Sequence, residues 1–232
     1  MPLRAVLFDM DDTLTDWPAA IDRAAGSALA SVGLDGDALA LRSLWEEIRG
    51  YTWRIEHGRV VDRGHWRLLF EPQEPFDRAF PDWPRERRKR AAATFREGLE
   101  PPPLFPEALP ALDQLGQRFT LGVISNSPFA RMTLSRLGVV DRFASIFMCD
   151  DPFRKPHPQA FADGCRAAGV AAADAAFVGD SFSADIEGGL VAGFARLFWL
   201  DRFDESGELP LSVVRVTSLV EVAGALLAPG RR

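Results

Sequence analysis

Asp9 and Asp11 stand two residues apart in Phe8-Asp9-Met10-Asp11-Asp12-Thr13-Leu14-Thr15-Asp16, directly after the apolar run Ala5-Val6-Leu7. That run reads as a buried strand, so two carboxylates leave a strand end together with a third beside them. Clustered carboxylates repel one another, and burying them unpaired is costly. A cation relieves both problems. With no His or Cys nearby, a hard, oxygen-seeking ion such as Mg²⁺ suits the site better than zinc. The competing reading is an acidic turn that caps a helix.

Other chemistry-bearing residues recur further along. Ser125 and Asn126 follow the apolar run Phe119 to Ile124. Gly179-Asp180-Ser181-Phe182-Ser183-Ala184-Asp185 follows Ala175 to Val178, and Cys149-Asp150-Asp151 follows Ser145 to Met148. Of the 27 basic residues only Lys89 and Lys155 are lysines. A chain that uses Arg almost everywhere keeps Lys where a compact ammonium is wanted, because Arg is a larger planar fork. Lys89 lies in the run Arg85 to Arg90, read as a solvated helix face, whereas Lys155 stands between a strand and a helix. Each of the others has a plainer reading. Ser125 and Asn126 shape a turn or cap a helix, Asp180 caps the helix carrying Asp185, His157 lies in a loop or starts a helix and is not a ligand, and Cys149 and Cys165 are small buried apolar groups.

The elements that must position these residues alternate from Phe119 onward. Strands are expected at 119–124, 145–148, 175–178, 195–200 and 213–216. Helices are expected at 106–117, 128–137, 158–168 and 184–192, with a last one from Ser218 to about Leu227. Gly138, Gly169 and Gly193 fall just past helix ends, as left-handed caps do. Short continuous apolar strands between helices imply a parallel sheet covered on both faces. In such a sheet ligands bind beyond the carboxyl ends of the strands, and four of those ends carry the residues named above.

The stretch from Leu14 to Phe119 breaks this rhythm, since a simple crossover needs on the order of 30 residues. Residues 17–102 are expected to form an inserted helical domain, with helices at 19–32, 37–50 and 85–97 and no convincing strand. Pro101-Pro102-Pro103 reads as a stiff return to the core. The expected fold is therefore α/β: a Rossmann-like doubly wound parallel sheet core, residues 1–16 and 103–232, with an inserted α-helical cap domain, residues 17–102.

Composition narrows the function classes. The 232 residues are 47% hydrophobic and 26% charged, ordinary for a globular chain. A net charge of -6 and a pI near 5.2 argue against nucleic-acid binding. No apolar run approaches the roughly 18 residues of a membrane span. Two cysteines make neither a disulfide framework nor a zinc site. The chain enters a strand almost at once, without room for a signal peptide, so a soluble, cytoplasmic protein is expected. Oligomeric state is not legible.

Taken in order, the set resembles the four motifs of the haloacid dehalogenase superfamily, specifically its phosphatases: Asp9-x-Asp11-x-Thr13, Ser125-Asn126, Lys155-Pro156, and Gly179-Asp180 with Asp185. The resemblance runs from residue 4 to about 227, and the insertion point matches the helical cap of one branch. Asp12 stands where many members have Gly. The resemblance implies a Mg²⁺-dependent phosphatase acting on a small-molecule phosphate ester. In it Asp9 is the nucleophile and forms an aspartyl-phosphate, and Asp11 is general acid and then base. Ser125, Asn126 and Lys155 hold the phosphoryl oxygens. Lys155 also restrains Asp9, and Thr13 organises the loop. The metal is held by Asp9, the Asp11 carbonyl and Asp180, with Asp185 ligating directly or, as favoured here, standing behind. Dehalogenases of the superfamily lack a carboxylate equivalent to Asp11, because a halide leaves without a proton.

Specificity is expected in the cap, which is rich in Trp45, Trp53, Trp66 and Trp83 and in Arg49, Arg54, Arg59, Arg63 and Arg67. An aromatic ring and an Arg there would recognise the substrate, although most of these Trp residues are read as filling a small helical core. Trp17 either lines the entrance or packs the hinge. Three alternatives to a phosphatase stand beside this reading. One is a phosphomutase of the same superfamily, another a non-catalytic binding protein keeping the fold, and the third a phosphoacceptor signalling domain, which would need no cap.

Overall fold

The computed structural model describes residues 3–56, 59–99, 101–202 and 209–228, with side chains for all of these except 54–56 and 59–63. In chain order the elements are β1 (Ala5–Phe8), α1 (Trp17–Ser31), α2 (Ala38–Thr52), β2 (Trp53–Glu56), β3 (Arg59–Arg63), α3 (Gln73–Ala79), α4 (Arg85–Gly98), α5 (Ala108–Gly116), β4 (Thr120–Ser125), α6 (Ala130–Arg136), β5 (Ser145–Met148), α7 (Pro158–Ala167), β6 (Ala175–Gly179), α8 (Gly188–Ala192), β7 (Arg196–Leu200), β8 (Val213–Val216) and α9 (Leu219–Leu227). They fall into two units, Met1–Thr15 with Leu104–Arg232, and Asp16–Pro103. The expected α/β architecture is present: a doubly wound parallel core whose sequence is interrupted by a helical insert. No described helix is long and apolar enough to cross a membrane.

Side-chain alternation along β1 shows how the first unit is built. Val6 and Phe8 join one core with residues of α5, α6 and α9, while Ala5 and Leu7 join a second core with residues of α7. All four β1 side chains are buried because both faces of the strand are covered. Six strands pair in the order β5-β4-β1-β6-β7-β8, and every pair is parallel. The chain moves outward from β1 first through β4 and then, in the opposite direction, through β6. Strand order thus reverses beside β1, which opens a crevice at the carboxyl ends.

Local chemistry sets the helix starts around that edge. His157 Nδ1 accepts from the Gln159 amide and Pro158 opens the first turn of α7, so His157 is a cap, as expected. Ser218 caps α9. The segment Phe182–Glu187, expected to be helical only from Ala184, is a π-helical turn running into α8.

The insert has its own core. Ala20, Ala24 and Ala28 of α1 share it with Ala91, Ala92 and Phe95 of α4, and the small alanines let the two helices approach closely. Phe76 of α3 meets Phe95 edge-on with ring centroids 5.6 Å apart. Trp45, Trp66 and Trp83 pack, partly buried, against this cluster. The expectation of no strand is corrected here, because β2 and β3 form an antiparallel hairpin, with Trp53 opposite Arg63 and Glu56 opposite Arg59. Four residues of alternating polarity, Trp53 to Glu56, are too few to stand out beside helical periodicity, although the β-branched pair Val60-Val61 favours a strand.

Candidate active site

The loop after β1 folds around one carbonyl. The Asp9 amide bonds to the Val178 carbonyl, and the Met10 carbonyl then accepts from the amides of Thr13, Leu14 and Thr15. The turn buries Asp9 and leaves Asp11 half-buried. The Thr15 hydroxyl donates to Asp11 Oδ1 at 3.3 Å. Asp12 adopts the left-handed conformation, φ 62°.

Lys155 reaches this loop from the segment between β5 and α7, β5 standing two strands from β1 in the sheet. Its ammonium lies 2.6 Å from Asp9 Oδ1 and 2.6 Å from Asp185 Oδ1, and only 2% of its side chain is exposed. The Ser181 amide donates to the other oxygen of Asp185 at 3.0 Å. The Asn126 side chain closes a ring with the main chain of Lys155: Oδ1 accepts from the Lys155 amide at 2.8 Å and Nδ2 donates to its carbonyl at 3.0 Å. The Arg154 guanidinium donates to the Asn126 carbonyl. Three bonds thus tie the loop after β4 to the loop that carries the lysine. Ser125 is buried, and its hydroxyl oxygen accepts from the Ser127 amide at 3.1 Å.

Asp180 opens the loop after β6. Its Oδ1 accepts from the Thr13 hydroxyl at 3.2 Å. The side chain that caps the following turn is that of Ser181, which accepts from the Ala184 amide, and not the expected Asp180. Carboxylate oxygens of Asp9, Asp180 and Asp185 lie within 4.8 Å of one another, all three residues buried. Three buried carboxylates thus lie close together, two of them bonded to one ammonium, and burial withholds the water that would solvate their charge. Burial pushes the Asp9 carboxyl up to about 7; Lys155 opposes the shift, while Asp185 and Asp11 add to it. Burial also works against the Lys155 ammonium, but Asp185 and Asp9 outweigh it and hold the proton above the ordinary lysine range. An all-oxygen, charge-deficient cluster of this kind is suited to a hard divalent cation.

The structure therefore brings together Asp9, Lys155, Asp180 and Asp185, with Asp11, Ser125 and Asn126 on the adjoining loops. Asp11 gives no side-chain oxygen to the cluster, whereas Asp185 does. Cys149 and Cys165 are buried core residues. Arg202 was missed from the sequence. Its Nη2 donates to Glu107 at 2.7 Å and to the Thr13 carbonyl at 3.3 Å, with the guanidinium 3.5 Å from the Phe105 ring centroid. No short-range signal marks an arginine that acts across such sequence distances. Among the cap candidates, Trp17 is buried against His65, ring centroids 5.6 Å apart, and Arg49 stacks over Trp53. The side chains of Arg54, Arg59 and Arg63 lie outside the described residues.

A family model described as haloacid dehalogenase-like hydrolase matches residues 3–193, a span containing every residue of this cluster. The chain belongs to the haloacid dehalogenase-like hydrolase family. Among curated relatives of this hydrolase, a phosphoglycolate phosphatase of Yersinia pseudotuberculosis serotype I (strain IP32953) is 32% identical over 193 residues, 77% of this chain and 73% of the relative. The solved 2-haloacid dehalogenase of Pseudomonas syringae pv. tomato DC3000 is 27% identical, with TM-score 0.59 over 97% of this chain and 98% of that one. The Bacillus subtilis hydrolase YfnB, solved with magnesium bound, shares the fold at 21% identity, with TM-score 0.71 over 98% and 100% of the two chains.

Proposed function

We propose that this hydrolase cleaves a small phosphate monoester in two steps through an aspartyl-phosphate on Asp9. The observation that carries the reading is the buried Lys155 ammonium, 2.6 Å from both Asp9 and Asp185, beside a second acid two residues beyond the first. Phosphate esters resist attack because their own charge repels nucleophiles, so the protein's work is positioning and neutralisation. Held by Asp9, the Asp11 carbonyl and Asp180, Mg²⁺ would supply the charge that lets one anion approach another.

Lys155 fixes the rotation of the Asp9 carboxylate and offsets charge on the phosphoryl group. As an oxygen of Asp9 bonds to phosphorus, the ester oxygen departs with the proton of Asp11. Asp11, now ionised, takes a proton from the water that cleaves the acyl phosphate and frees Asp9. The Ser125 hydroxyl donates a hydrogen bond to a phosphoryl oxygen. Asn126 has a second amide N–H for the same purpose, while the rest of its side chain holds Lys155. The position of Asp11 favours phosphoryl transfer over dehalogenation, since an alkoxide leaving group needs a proton and a halide does not. The relative named phosphoglycolate phosphatase agrees with a small, anionic, diffusible ester.

The test is phosphate release from a panel holding phosphoglycolate, sugar phosphates, nucleoside monophosphates and flavin mononucleotide. Wild type and Asp9→Asn are each assayed with Mg²⁺ and with EDTA. Turnover that requires both Mg²⁺ and Asp9 is expected. Release that survives Asp9→Asn would overturn the nucleophile, and no release from any ester by folded protein would overturn the phosphatase reading.

A further inference from the structure

Trp199 is the penultimate residue of β7, a strand to which the sequence attaches no chemistry. Its side chain is buried, and its indole N–H donates to the Asp180 carbonyl at 2.9 Å. Its ring meets Phe182 edge-on, with centroids 5.1 Å apart at 69°. Phe182 begins the π-helical turn that carries Asp185. One indole thus touches both the residue that bears the first carboxylate of this loop and the turn that bears the second. Pairing in register with Gly179 places it directly beside the loop. The Arg215 guanidinium, paired with Asp201, lies over the indole at 5.3 Å.

We infer that Trp199 is a positioning residue of the metal site, its indole N–H fixing the Asp180 main chain while the Thr13 hydroxyl fixes the Asp180 carboxylate. The inference rests on the reading proposed above, that Asp9, the Asp11 carbonyl and Asp180 hold a divalent cation. A ligand keeps its direction only if the groups behind it are held, and loss of such partners typically weakens metal binding ten- to a hundredfold. The bulk of the ring fills the core, but its N–H serves one acceptor, and that acceptor belongs to a ligand residue. The two contributions are therefore separable.

Calorimetric titration of Mg²⁺, with Mn²⁺ as a tighter probe, compares wild type, Asp180→Asn, Trp199→Phe and Phe198→Leu. Phe198 is buried in the same strand but faces the other core, so Phe198→Leu controls for lost packing. Trp199→Phe is expected to raise the dissociation constant about tenfold or more, and Phe198→Leu to leave it within about twofold. If wild type binds no metal, or Asp180→Asn binds equally well, the reading of the metal site falls. If wild type binds and Trp199→Phe matches it, or Phe198→Leu weakens binding as much, the inference about Trp199 falls. Should Trp199→Phe not fold, 3-benzothienylalanine at position 199 keeps the bicyclic ring and removes only the N–H, and the same outcomes decide.

Discussion

Gly179 and Asp185 occupy the space of one side chain. A Cβ on Gly179 would stand 2.4 Å from both Cγ and Oδ2 of Asp185, far inside van der Waals contact. The carboxylate that anchors Lys155 therefore exists where it does because residue 179 has no side chain. Gly179→Ala should drive Asp185 off the lysine, cost about 1–3 kcal/mol as overpacking and lower turnover at least tenfold. Urea unfolding and an ester assay check both. Wild-type turnover in Gly179→Ala would show that the Asp185 contact is dispensable.

Lys155 bonds two buried carboxylates at once. Lys155→Met leaves both without their cation, and breaking a buried pair from one side costs about 3–5 kcal/mol. The loss should appear in unfolding measured with chelator present. Lys155→Arg should fail in turnover as well, because a guanidinium is larger and planar where two oxygens now approach one nitrogen. An active Lys155→Arg would remove the significance of a lysine kept in so arginine-rich a chain.

The Asp9 carboxyl gives the metal-free protein a defined pH response. Its folded value is about 7 against an ordinary 3.8, so between those limits the folded chain binds more protons than the unfolded chain. Stability must then fall as pH rises through that window and level off above about 7. Asp9→Asn lacks the titration. In chelator, the melting temperature of wild type relative to Asp9→Asn should decline from pH 4.5 to 7.5 and then hold constant. A difference that does not change with pH would mean that Asp9 is ionised throughout.

Both thiols are inert by position. Burial pushes Cys149 and Cys165 up to about 11, and for Cys149 the nearby Lys155 only partly offsets it. Thiolate is the reactive form, so an iodoacetamide pulse at pH 8 should label neither residue in folded protein and both in denaturant. Rapid labelling of native Cys149 would show that the loop after β5 opens.

Why some of this was legible and some not follows from the range of the interactions. Strands such as Ala175–Gly179 are continuous apolar runs bounded by turn residues, and their side chains are buried on both faces. The period of the pattern and the burial have one cause. The acidic loop could likewise be read, because Asp9, Asp11 and Thr13 are local in sequence. The hold of Asn126 on Lys155 spans 29 residues, and that of Trp199 on Asp180 depends on two strands lying side by side. Neither leaves a short-range trace. The π-helical turn at 182–187 was hidden differently: its composition suits an α-helix, and it is the Ser181 cap together with Trp199 packing on Phe182 that accompanies the wider turn.

Asp12 is the one non-glycine residue with positive φ among the described residues, at 62°. The left-handed conformation costs most L-residues roughly 1–2 kcal/mol, and glycine nothing; Asp and Asn tolerate it because a short polar side chain can bond locally. The turn it closes is tight, with the Asp12 amide donating to the Thr15 carbonyl at 2.9 Å. Two consequences follow for substitution. Asp12→Gly and Asp12→Asn should keep the turn, whereas Asp12→Val adds a branched Cβ to a strained backbone and should be less stable than Asp12→Gly by about 1–2 kcal/mol. The same strain would disturb Asp11 and Thr13 on either side, and with Thr13 the hydroxyl that orients Asp180. Turnover should therefore follow the order of backbone tolerance, Gly and Asn above Val. Equal stability of the Val and Gly variants in urea would show that the loop relaxes out of the left-handed conformation at no cost.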